Sequence, residues 1–224
     1  MSILVTERVF DRVPKFDERS RAYPIRALIS NRSQPRSYTW DCPLWLDQGR
    51  EGACTGFAVT HEAAARPVMV KGLSSAVAME VYHRARQLDE WPGEDYEGSS
   101  VLGAIKAGRE RGWYDEYRWA FGVEDLALAV SRSGPAILGI NWYEAMGDPT
   151  REGLIKVGGR LLGGHAILCS GYSVPKRLFR LHNSWGLAWG VRGECFISYE
   201  DMDRLLRESG EACIPVRRAY GVAA

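Results

Sequence analysis

The change of pattern at Pro135 constrains the fold of this chain more than any other feature of it. Before that residue, apolar side chains recur at helical spacing; after it come short apolar runs separated by glycines. Residues 48–70 open with a glycine-punctuated turn (Gln48, Gly49, Gly52) and lead into a helical segment. Cys54 lies on its first turn, Phe57, Ala58, Ala64 and Ala65 share a buried face, and Pro67 marks the kink or stop. Residues 74–91 read as a second, amphipathic helix carrying Val77, Val81, Tyr82 and Ala85 on one side. Residues 101–111 read as a third, closed by Gly112, and residues 124–133 as a short fourth. From Pro135 onward AILGINW, LLGGHAILCSGYS, KRLFRLHNSWG and ECFISYE are strands joined by glycine turns, and residues 199–209 form a closing helix. The expectation is an α+β protein: a helical first lobe, a β-rich second lobe, and a cleft between them.

Charge and length narrow the function. With 224 residues the chain fits one domain or two small lobes. Its 29 basic and 28 acidic residues leave a net charge of +1, which argues against nucleic-acid and anionic-membrane partners. No apolar run reaches the roughly 20 residues a membrane span requires. The first residues lack the basic, apolar and small-residue order of a signal peptide, and the five cysteines are odd in number with no metal-type pairing. These features point to a reducing compartment. A disulfide among Cys42, Cys169, Cys195 and Cys213 stays open.

Cys54 has an electrostatic advantage at a helix start, where unpaired N–H groups favour the thiolate. Buried free cysteines are common, so its company matters more. Gln48 can donate an amide hydrogen into an oxyanion site beside the sulfur, His165 can serve as base, and Asn183 can orient that base.

These residues carry a resemblance. Gln48-Gly49-x-x-Gly52-x-Cys54, then Gly164-His165-Ala166 with Gly171-Tyr172, then Asn183-Ser184-Trp185-Gly186-x-x-Trp189-Gly190 resemble the papain-like cysteine peptidases, in the family's order and across residues 40–200. The resemblance implies the two-lobe papain-like fold, with a helical lobe near 45–122 and an antiparallel β lobe near 123–224. It implies Cys54 as nucleophile, His165 as its partner and proton donor, Asn183 as orienter, Gln48 at the oxyanion, Trp185 as a shield, and Trp189 on the leaving-group side. Gly98 and Ser99 would pair with substrate backbone. Gly139, Gly163, Gly164 and Ala166 would surround the pocket for the second residue before the cut, with room for a bulky apolar side chain. The acids Asp89, Glu90, Glu94, Asp95 and Glu97 would attract basic substrates or form a solvated loop.

Departures from the pattern are Glu51, where the family carries a disulfide cysteine, and Thr55, where it carries an aromatic residue. They imply a compact, divergent branch of bacterial or viral kind. Residues 1–36, with seven arginines, one lysine and four acids, are a solvated extension or a short pro-segment crossing the cleft. The implied activity is peptide-bond hydrolysis through a thioester acyl-enzyme on a peptide or protein substrate, with no cofactor, in a degradative or a dedicated processing role. A cell-wall amidohydrolase, an acyl transferase or a silent binding protein are the alternatives.

Overall fold

A computed structural model describes residues 8–30, 32–67, 69–89 and 97–216. Helix α1 (Cys54–Ala64) is its centre, and all eleven of its residues are buried. An amphipathic helix packs on one face only. This one is enclosed by α2 (Ser75–Leu88) and α3 (Val101–Glu110) on one side and by the sheet on the other. It stops at Ala65, whose N–H returns to His61 and Glu62, just before Pro67. Side chains set the other starts: Ser74 caps α2 and Ser100 caps α3 by accepting the N–H of Val77 and of Gly103. Both helices end slightly before the sequence expectation, and Glu90 and Trp91 lie outside the described residues.

One eight-stranded sheet forms the rest of the frame. Its strands are β1 (Tyr38–Thr39), β2 (Glu116–Trp119), β3 (Ala136–Tyr143), β4 (Leu154–Ile155), β5 (Leu161–Ser173), β6 (Leu178–His182), β7 (Glu194–Ser198) and β8 (Glu211–Val216). They run in the order β2-β8-β3-β5-β6-β7-β4, with β1 paired to β5; only β4 against β7 is parallel. Helix α4 (Val123–Arg132) packs on β5, and α5 (Tyr199–Arg207) lies against α4 and β7.

The apolar runs of β3 and β5 follow from burial on both faces. Ile137 and Leu168 enter the core shared with α1 and α3, whereas Leu138, Ile140, Trp142 and Ile167 enter the second core beneath β6 and β7. Four strands escaped the sequence pattern, the two-residue β1 among them. β4 has two residues, and β2 is four partly polar ones. β8 contains Pro215, which lies beyond the residues paired to β3 and has only β2 beside it. Through β2 the sheet takes in part of the stretch expected in the helical lobe. None of the five cysteines is bridged; Cys169 and Cys195 flank Leu181 from opposite strands.

The crossing of α1 over α2 depends on Gly56. A methyl group there would overlap the Ala78 carbonyl and lie 2.8 Å from the Tyr82 backbone nitrogen. Alanine ordinarily favours a helix. Here Gly56→Ala is expected to lower stability by about 1–3 kcal/mol through overpacking, read as a fall in thermal midpoint.

Candidate active site

Packing of α1 on β5 and pairing of β5 with β6 bring three distant residues together. Cys54 is the first residue of α1, His165 lies in β5, and Asn183 follows the end of β6; all three are buried. His165 Nε2 is 2.9 Å from Asn183 Oδ1. That Asn183 atom also accepts the backbone N–H of Ser184 at 2.8 Å, so it is the oxygen of the amide. Nε2 therefore carries the proton and donates it, and in neutral His165 the lone pair sits on Nδ1. Nδ1 is buried and has no hydrogen-bond partner among the described residues. The backbone of Ala166, the next residue, hydrogen-bonds the Cys54 sulfur, which places the thiol beside His165.

Aromatic rings enclose the imidazole. Trp142 and Trp185 stand 4.9 and 5.0 Å from it, centroid to centroid. Trp189 packs behind Trp185, and its Nε1 donates to the Gly147 carbonyl. The Gln48 amide is held at both ends: Ser184 Oγ donates to Oε1 at 2.6 Å, and Nε2 donates to the Glu51 carbonyl at 2.8 Å. Its orientation is thus settled, with the nitrogen turned toward the loop that precedes Cys54.

Residues 8–13 lie across this constellation. Arg12 N–H donates to the Gly164 carbonyl at 3.0 Å, Val13 N–H to the Ser99 carbonyl at 3.0 Å, and Ser99 N–H to the Asp11 carbonyl at 3.2 Å. One extended strand therefore joins both walls. Gly98, Gly163 and Gly164 make room for it, since a methyl group on each would collide with Asp11, Phe10 and Arg12 respectively. Phe10 packs edge-on against His165 and Trp185. Arg8 lies over the Trp185 ring, donates to the Gly49 carbonyl and pairs with Asp47 at 2.6 Å. The backbone pairing expected of Ser99 is present, with the chain's own N-terminal segment as its partner.

That strand changes the chemistry of the pair. Cys54 is pushed up to about 11, chiefly by burial; Asp11 adds to the rise, while the donation from Ala166 and the charge of Arg12 act against it. His165 is pushed down to about 4, again chiefly by burial, and Arg8 lowers it further against the bond to Asn183. Burial outweighs the helix-start advantage expected for the thiolate. With the strand in place, the neutral thiol and neutral imidazole are favoured over the ion pair.

Sequence reasoning and structure meet at Cys54, His165, Asn183, Gln48, Trp185, Gly98, Ser99, Gly163, Gly164 and Ala166, which converge on one cleft. Gly139 pairs with Ala166 across β3 and β5. The side chain beside Gly139 is that of Arg12, where an apolar one was expected. Asp89 is occupied by the hydroxyls of Ser99 and Ser100 and by the Ser100 N–H, which ties the entry of α3. Glu90, Glu94 and Asp95 lie outside the described residues. Arg8, Phe10, Arg12, Trp142 and Glu211 went unrecognised as site residues. The alternation of Arg8, Phe10 and Arg12 was the available signal, since a period of two puts them on one face of a strand. Among the described residues, no group of His, Cys, Asp and Glu could hold a metal ion, and no helix is long and apolar enough to cross a membrane.

No protein-family model matches the chain. It is 22% identical over 200 residues to an uncharacterized peptidase C1-like protein of Acanthamoeba polyphaga mimivirus, covering 69% of this chain and 64%, just under two thirds, of that relative. Solved structures share its fold. Xylellain, a cysteine protease from Xylella fastidiosa, superposes with a TM-score of 0.69 at 19% identity, over 94% of this chain and 97% of the other. Procathepsin B from Trypanosoma congolense gives 0.62 at 14%, over 98% and 86%. Bromelain from Ananas comosus in complex with the E64 inhibitor gives 0.61 at 16%, over 82% and 100%. The chain has the papain-like cysteine protease fold.

The raised thiol makes a prediction about labelling. Iodoacetamide should modify Cys54 slowly at pH 6–8 in the full chain, with the rate climbing as pH approaches about 11. Phe10→Ala with Asp11→Ala, which loosens the strand and removes a charge that raises the thiol, should move that rise to lower pH. Peptide mass spectrometry of the labelled protein gives both rates, and an unmoved profile would contradict the role given to the strand.

Proposed function

We propose that this chain is a papain-like cysteine endopeptidase held closed by its own N-terminal segment. The orientation of His165 supports the reading most directly: Nε2 is committed to Asn183, and the buried Nδ1 keeps its lone pair with no hydrogen-bond partner among the described residues. A base so placed takes the thiol proton, and the thiolate attacks the carbonyl carbon of the scissile peptide. Gln48 and the Cys54 N–H steady the oxygen that gains the negative charge. As the C–N bond breaks, His165 returns the proton to the departing amine and a thioester to Cys54 remains. Water, deprotonated by His165, then attacks the thioester; the acid leaves and the thiol is restored.

Residues 1–36 are read as a short pro-segment. The support is the strand from Arg8 to Val13, which buries the nucleophile, sets Asp11 and Arg12 near the sulfur with opposing effects, and brings Arg8 to the imidazole. Cleavage or displacement of the strand exposes Cys54, returns water and substrate dipoles to the pair, and lets the thiolate and imidazolium form.

Cys54→Ala should abolish hydrolysis of an unstructured protein such as casein, and His165→Ala should slow it by about 10²–10⁴-fold. Asn183→Ala should cost less than either, because it removes only the orienting bond. Gel and mass-spectrometric assays of the products check this. Hydrolysis that persists in Cys54→Ala would remove the proposal.

A further inference from the structure

Two buried imidazoles share elements with the catalytic residues and take no part in the chemistry above. His61 follows Cys54 by two turns of α1, on the same face and about 10 Å farther along. His182 is the last residue of β6 and precedes Asn183. Their ring centroids are 4.5 Å apart, with the rings edge to face. Both bond the segment that leads to Gln48, and they do so in opposite senses. A carbonyl can only accept, so His182 Nε2 donates to the Leu44 carbonyl 2.9 Å away. An amide N–H can only donate, so His61 Nε2 accepts from Leu46 at 3.3 Å. The backbone therefore fixes the tautomers: Nε2–H in His182 and Nδ1–H in His61. His61 Nδ1 is buried and has no hydrogen-bond partner among the described residues. The ring gives up a donor to keep its acceptor against Leu46.

Gln48 ends this segment. Trp45 stacks on His182 at 4.0 Å, the Leu46 carbonyl accepts the Gly186 N–H, Asp47 bridges Trp185, and the Gln48 N–H donates to the Ser184 carbonyl. The Gln48 amide takes its position from these pins, and the Leu46 bond is the one made to the helix of the nucleophile. That bond needs a neutral ring. A proton on His61 Nε2 would set a donor against a donor and place a charge where no water reaches it. Burial pushes His61 well below the usual imidazole range, and His182 pushes it further. The other titratable groups facing the two rings are Cys42 and Glu194. The Cys42 sulfur donates to the His61 carbonyl at 3.3 Å and lies 3.9 Å from His182 Nε2. Glu194 is 3.7 Å from His182 Nδ1 and is paired with Arg180. Glu62, next along α1, is buried as well. A proton on His182 would meet Glu194 and leave the donation to Leu44 intact, whereas a proton on His61 breaks the bond to Leu46.

Resting on the peptidase reading above, we propose that His61 is a positioning residue for the oxyanion site: its neutral ring holds Leu46 and thereby sets Gln48, and its protonation in acid frees Gln48 and slows the chemical step. His182 holds the same segment in either protonation state. Acid then weakens stabilisation of the transition state while substrate binding persists.

The first test needs no catalysis. In the full chain labelled with the heavy nitrogen isotope, long-range imidazole NMR spectra at neutral pH should show the Nδ1–H tautomer for His61 and the Nε2–H tautomer for His182. On acidification the Leu46 backbone amide and the Gln48 side-chain amide should shift with the midpoint of His61. His61→Gln, whose amide oxygen accepts the same N–H and does not titrate, should remove that shift. The Nε2–H tautomer at His61, or a Gln48 shift that survives His61→Gln, overturns the proposal. The second test takes the full chain carrying Phe10→Ala and Asp11→Ala as parent and casein as substrate. His61→Leu leaves the Leu46 N–H unpaired and should lower kcat by about 10–100-fold, part of what loss of an oxyanion donor costs, with KM changed less than about twofold. His61→Gln should return kcat to within about threefold of the parent and hold it to lower pH. A rise in KM at constant kcat, or a His61→Gln chain no faster than His61→Leu, overturns the proposal. Where His61→Leu does not fold, His61→Gln and the spectra decide. A parent that cuts no casein removes the peptidase reading alone, and the tautomer with the Gln48 shift then upholds or overturns the hold on Gln48.

Discussion

Enclosing α1 on every side is the constraint from which most of this architecture follows. A helix with no solvent face needs apolar or small residues around its whole circumference, and CTGFAVTHEAA supplies them with few large side chains. Its interior polar groups need partners: Thr60 returns its hydroxyl to the Gly56 carbonyl, and His61 accepts the Leu46 N–H. Close crossing by α2 requires Gly56, and the far side requires a sheet whose strands are apolar on both faces. Only the first residue of α1 meets the cleft. The thiol is therefore fixed by the rigid centre of the molecule, while its partner His165 comes from the strand packed against it.

The state of the Cys54–His165 pair follows from what covers it. An ion pair in low dielectric needs its charges matched by neighbours; burial opposes both charges first, Arg8 adds to this at the imidazole, and at the sulfur Asp11 and Arg12 of the same strand oppose each other. Phe10 adds an apolar face that keeps water from the imidazole. The strand is anchored away from the chemistry, at Asp47 on one end and Glu211 on the other.

Much of this was legible in the residues. Helical spacing located α1 to α4 within a few positions, and the glycine-bounded apolar runs located β3, β5, β6 and β7. The motifs around Cys54, His165 and Asn183 named the groups that converge. What stayed hidden has identifiable causes. β2 and β4 are too short to show a period, and the proline in β8 disguised it. Glu211 was invisible because a lone acid before a short strand reads as surface, and only tertiary contact with Arg12 reveals it as buried. The pocket beside Gly139 looked apolar because Gly139, Gly163 and Ala166 are small and uncharged, whereas its charged end comes from the last strand.

The Arg12–Glu211 pair spans 199 residues of chain, and that separation has a consequence for synthesis. The ribosome makes the N-terminal strand first, and the carboxylate that anchors it only after His165 and Asn183. At about 5–20 residues per second, the interval between the last catalytic residue and the anchor is a few seconds. During that interval β8 is missing, so β3 has one edge open and β2 has nothing to pair with. The sheet that carries His165 is completed by the same strand that brings the anchor. A nascent chain therefore gains the completed sheet around His165 and the anchor of the N-terminal strand together.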